Sequence, residues 1–220
     1  MSSVAPGPSP QPRIDFNVIG VAWQMLSQQL GTWVLAMLVV VLINVALAFT
    51  VGIVLALCVP LVGNLVAQIP SQLMVIGLYR MAFKQMRGET IAVGDVFQFM
   101  DVLGPAAVAT ILVTIAVITG TIFCIVPGIL LAGVWMFTFP LIADKGMDGV
   151  QAMGLSWNTL KADWLMAALF FFVNTLIGVA GALACGVGVL VTAPLSLLSL
   201  AGLYRVYFPE PSTEQAPVAV

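Results

Sequence analysis

Residues 102 to 143, VLGPAAVATILVTIAVITGTIFCIVPGILLAGVWMFTFPLIA, run for 42 positions without a charged side chain. A bilayer crossing takes about 20 apolar residues. The run therefore holds two crossings, with Pro127 and Gly128 as the turn between them. It leaves from Asp101 and returns at Asp144, so both of its ends lie on one side of the membrane. Two similar stretches flank it, residues 16 to 79 and 164 to 204, of 64 and 41 residues. All sixteen charged residues fall outside these stretches, in four clusters: Arg13 with Asp15, Arg80 to Asp101, Asp144 to Asp163, and Arg205 to Glu214.

The fold class that follows is an all-α polytopic membrane protein, with six transmembrane helices arranged as three hairpins. Composition agrees: 61% of residues are hydrophobic, 7% are charged, and mean hydropathy is +1.14. Soluble domains carry roughly a quarter charged residues. The expected spans are about Trp33–Cys58, Leu65–Phe83, Pro105–Cys124, a fourth from the Pro127-Gly128 turn to about Ala143, Trp164–Cys185 and Val189–Tyr207. Pro60, Gly63 and Asn64 are the expected first turn, and Gly186 and Gly188 the third. Since Lys and Arg are retained on the cytoplasmic side, both termini are expected in the cytoplasm.

Each hairpin follows a segment of helical periodicity, expected to lie in the membrane interface. The first starts at Asp15 as N-cap and carries Ile19, Ala22, Trp23, Leu26 and Leu30. The second carries Val93, Val96, Phe97, Met100 and Leu103 opposite Asp95, Gln98 and Asp101. The third carries Val150, Met153, Trp157 and Leu160 opposite Asp148, Gln151, Asn158 and Lys161. The alternative is that these segments are only the ends of long spanning helices. The domain plan is a Pro-rich tail over 1 to 14, one membrane domain over 15 to 208, and a second tail over 209 to 220. Within the domain, 15–87, 92–143 and 147–208 form a candidate threefold repeat. Gly77-Leu78-Tyr79-Arg80 and Gly202-Leu203-Tyr204-Arg205 close the first and third units, and the Tyr-Arg pairs are expected to anchor at the headgroups.

Intramembrane polar groups are neutral: Asn44, Gln68, Gln72, Asn174, Thr110, Thr114, Thr192 and Ser196. Gln68 and Gln72 share a helix face around Pro70. With Asn174 they form a candidate polar patch, or else they bond between helices. Asp144 and Lys145 mark a cytoplasmic loop. Cys58, Cys124 and Cys185 each end the first helix of a hairpin and read as packing residues, with a redox role as the alternative. Histidine is absent, and no nucleophile has a neighbouring base, so neither metal site, cofactor nor enzyme is expected.

Cys124-Ile125-Val126-Pro127-Gly128, Trp135, Pro140-Leu141-Ile142-Ala143-Asp144-Lys145-Gly146, Ala152 and Ser156-Trp157 carry a resemblance, as do Arg87-Gly88-Glu89 and Asp95-Val96-Phe97 upstream. Over residues 75 to 205 the chain resembles uncharacterised bacterial multi-pass proteins related to the membrane domain of glycerophosphoryl diester phosphodiesterases. That resemblance implies an all-helical inner-membrane protein with no established activity. The family's phosphodiesterase chemistry belongs to a separate soluble barrel, so no catalytic residue carries over. The expected function is non-enzymatic, exerted at the cytoplasmic face through membrane lipids, another membrane protein or a second copy, and not through nucleic acid. The alternative is a small-molecule or lipid transporter or channel.

Overall fold

The computed structural model describes residues 13–58, 60–123, 125–183 and 188–210, with side chains described outside 48–68 and 121–127. Every regular element among them is helical: α1 Asn17–Gln28, α2 Leu30–Cys58, α3 Pro60–Met86, α4 Leu103–Phe123, α5 Ile125–Val134, α6 Thr138–Lys145, α7 Gly149–Leu160, α8 Trp164–Leu183 and α9 Val189–Tyr207. Three short 3-10 turns join them, Val93–Phe97, Met100–Val102 and Lys161–Asp163. Five stretches of described residues are long and apolar enough to cross a membrane: Leu30–Leu47, Val93–Gly120, Gly128–Lys145, Gly149–Leu183 and Val189–Tyr207. The sixth expected crossing falls on α3, whose first third includes undescribed side chains.

The helices pack in a regular order. Within each charge-free stretch the two limbs pack together, α2 on α3, α4 on α5, and α8 on α9. Between stretches, α4 packs on α3, α8 on α5, and α2 on α9. The lead-in segments follow the same rule: the 3-10 segment before α4 docks on α3, α7 docks on α6, and α1 docks on α9. Each unit thus presents its first limb and its lead-in to the second limb of the unit before it, and the first unit presents them to the last.

The core gathers toward the charged end. Its largest fully buried side chains include Ile76, Met81, Phe137, Leu141, Leu198 and Tyr204, all within about three turns of a charge cluster, and Trp33, which bonds Gln85 next to Lys84. The apolar side chains of the far halves, such as Ile115, Ile118, Leu176 and Leu183, stay exposed. In water such a surface would aggregate. Against hydrocarbon it is the expected exterior.

Several sequence expectations are corrected. Gly63 and Asn64 make no turn, because α3 starts at Pro60, where the missing N–H is no loss. Pro127 and Gly128 likewise lie inside the first turns of α5. The expected fourth helix is two, α5 and α6, broken at residues 135–137. The cause is a side chain entering the backbone ladder: Ser156 Oγ donates to the Val134 carbonyl at 2.7 Å and accepts from the Phe137 N–H at 3.3 Å. Pro140 adds to it, since it has no N–H to return to the Met136 carbonyl. At the start of α1, Asp15 Oδ1 takes the Asn17 N–H at 2.9 Å, while Phe16 occupies the capping position. Cys124, Cys185 and Gly186 lie outside the described residues, as does the side chain of Cys58.

Two lead-ins also differ from expectation. The second is not an α-helix, and its inward face is Ile91, Asp95, Val96, Phe99 and Val102, while Phe97, Met100 and Leu103 point out. The backbone there is drawn onto α3 at Gly77, where any β-carbon would collide with the Val96 carbonyl. The third, α7, turns Gly149, Ala152, Ser156 and Leu160 inward, so Val150 and Trp157 of its apolar stripe face outward. Small residues let α7 lie close against α4 and α6.

Candidate functional site

Where the second limbs converge, the bundle is not filled. A cavity of about 430 Å³ opens between α3, α4, α5, α6, α8 and α9. Val75, Phe139 and Leu200 all line it. Each lies five residues before the first charged residue of its helix, Arg80, Asp144 and Arg205 respectively. Three like positions of the three stretches therefore face one space.

Most of the wall is apolar. Its polar members are Gln72, Tyr79 and Thr114, and no charged side chain lines it. A second cavity of about 610 Å³, bounded by α2, α3, α8 and α9, shares Val75, Tyr79, Phe171 and Leu200 as a common wall. Asn174 lines this second space. Its Nδ2 donates to the Ser196 carbonyl at 3.0 Å, and Ser196 Oγ donates back to the Asn174 carbonyl at 3.1 Å. Its Oδ1 is buried and has no partner. The expected patch of Gln68, Gln72 and Asn174 is thus divided: Gln72 and Asn174 face different cavities, and the Gln68 side chain is outside the described residues. Asn44 behaves like Asn174, binding across helices to Ser71.

The charged side of the bundle carries a network of ion pairs. Arg80 holds Asp101 through two bonds of 2.7 Å, the Gln98 carbonyl at 2.6 Å and the Ala143 carbonyl at 3.1 Å. Asp144 accepts from Arg205 at 2.8 Å and 3.2 Å and from the Tyr204 hydroxyl at 2.8 Å. Arg205 also meets Glu210 at 2.5 Å, and its guanidinium lies 4.3 Å from the Phe83 ring centre. Lys84 reaches Asp95 at 2.9 Å, and Arg87 binds Glu89 and Glu210. The Glu89 hydrogen bond is the largest influence on Arg87 and holds its guanidinium pKa above the ordinary arginine value.

The expected interface anchors therefore serve differently. Tyr79 and Tyr204 are buried, and Tyr204 sits among Phe83, Phe137 and Phe208. Arg80 and Arg205 are spent on neighbouring helices. Asp144 pairs with Arg205, and Lys145 stands over the Phe208 ring at 4.6 Å. A polar cleft of about 460 Å³ is lined by Arg80, Lys84, Arg87, Asp101 and Asp144, and its three cations are matched by Asp101, Asp95 and Glu89 respectively.

Sequence reasoning passed over Gln85 and set Asp95 on an outward polar face. Gln85 is buried, accepting from Trp33 Nε1 at 2.7 Å and donating to the Met25 carbonyl at 2.6 Å, which joins α1, α2 and α3. Asp95 is buried and takes Lys84, the Ala92 N–H and Gln98. Among the described residues no three metal-ligating side chains come together. Fold and site together define a helical multi-pass membrane protein. No family model, curated protein or solved structure matches the chain.

Proposed function

We propose that the chain is a non-enzymatic protein of a bacterial inner membrane, with six crossings in three like hairpins and both termini cytoplasmic, that handles a lipid or another neutral membrane-soluble molecule within its bundle. The cyclic packing of lead-ins and limbs supports the threefold plan, and the resemblance over residues 75 to 205 supports the bacterial setting. The observation that carries the function is the uncharged cavity of about 430 Å³ at the meeting of the three units. Ion- or proton-coupled transport relies on a charge-changing side chain or an oxygen cage inside the membrane. This cavity offers an amide, a hydroxyl and a phenol instead. Docking of a charged partner at the cytoplasmic face is less favoured, because Arg80, Lys84, Arg87 and Arg205 are held by the protein's own carboxylates.

Reconstitution in liposomes tests this reading. Proteoliposomes are expected to exchange a fluorescent neutral lipid between leaflets faster than empty ones, with no added proton or sodium flux. An ion flux, or an unchanged lipid exchange rate, overturns it.

A further inference from the structure

Thr110, Thr119, Thr175, Thr192 and Ser199 each turn the hydroxyl back to the carbonyl four residues earlier, at 2.7 to 3.1 Å. Thr114, in the middle of α4, makes no such bond, and its side chain lines the central cavity. Gln72 and Tyr79 line the same space, and among the described residues neither side chain has a hydrogen-bond partner. Tyr79 is only 6% exposed. Gln72 and Thr114 are half-buried, and none of the three polar groups is sealed inside the protein. With no partner among the described residues, they face an otherwise apolar space and are free to bond a group within it.

Resting on the reading of the chain as a handler of neutral membrane-soluble molecules, we propose that this cavity is a binding site for a neutral single-chain amphiphile whose hydroxyl-bearing head meets Gln72, Thr114 and Tyr79. The head is uncharged because nothing in the wall would balance a charge: Arg80, the residue after Tyr79, is held by Asp101 and the Ala143 carbonyl. The body is apolar because Val75, Phe139 and Leu200 surround it. Volume limits the guest to one chain. At roughly 30 Å³ for a water-sized group, the cavity takes about fourteen such groups, enough for the head and the first part of one chain, whose remainder extends past Ile118 into the lipid. Entry is from the lipid side, since Ile118 lines the cavity while remaining 48% exposed on the outer face of α4.

The full chain, purified in detergent, is exposed to monooleoylglycerol bearing a photoreactive diazirine in its tail. Saturable labelling of peptides from α3, α4 and α5 is expected, displaced by unlabelled monooleoylglycerol and at least tenfold less well by oleate. Ala132→Phe, which fills the cavity, is expected to lower labelling at least tenfold. The double variant Gln72→Leu/Thr114→Val, with unchanged helicity and elution, is expected to lower it about tenfold by removing the polar contacts. Non-saturable labelling, labelling at other helices, equal competition by oleate, or labelling unaltered in the double variant overturns the assignment. Labelling at these helices without faster lipid exchange in liposomes upholds the site and overturns only the passage reading.

Discussion

Gln72 and Gln85 lie on one helix, thirteen positions apart, and behave in opposite ways. Gln85 satisfies the Trp33 indole N–H and the Met25 carbonyl at once, so its loss strands two buried groups. Gln85→Leu is expected to cost about 1–3 kcal/mol, seen as an earlier thermal unfolding transition of the purified protein. Gln72→Leu removes no bond to the described protein and is expected to leave that transition in place. Equal shifts for the two would mean that Gln72 has a structural partner. This contrast was invisible in the sequence, where both residues are amides in an apolar helix. What separates them is a partner 52 positions away, and local pattern carries no record of it. Asp95 was misread for the same reason, since a carboxylate near a membrane surface is usually solvated and here it is bound by Lys84.

Among the elements, the long helices were legible because charge-free runs and their apolar length report directly on hydrocarbon. The lead-ins were legible as segments but not in orientation. Periodicity says that one face is apolar, and in a membrane protein that face turns to lipid as readily as to the core. On α7 the core took the small residues instead, and the Val150 and Trp157 face was left outside. The break between α5 and α6 depends on Ser156, 22 residues from the carbonyl it captures. Tight backbone approach at Gly77 yields a direct test. Gly77→Val places a branched side chain against the Val96 carbonyl and is expected to destabilise by about 3 kcal/mol or more, or to prevent folding. Gly94→Ala, three-dimensionally unobstructed on the neighbouring turn, is expected to be neutral in the same thermal melt. A tolerated Gly77→Val would show that the lead-in is free to move off α3.

At the scale of the whole molecule, the positions of the charges are expected to set the orientation. Cysteines replacing Glu89 and Lys161 in a cysteine-free background are expected to resist an impermeant maleimide in intact cells and to react once the cells are opened. Labelling from outside would invert the topology. The cyclic packing also has a temporal side. α1 ends at Gln28, and its seat on α9 does not exist until residues from Val189 onward have been made. At roughly 5–20 residues per second on the ribosome, the first helix waits on the order of ten to thirty seconds for the last. During that interval Ala22 and Leu26 have no α9 to cover them, and a chain stalled before Val189 keeps them uncovered permanently. Closure of the ring thus depends on the synthesis of α9, which gives membrane quality control a simple way to distinguish chains that contain it from chains that stop short of it.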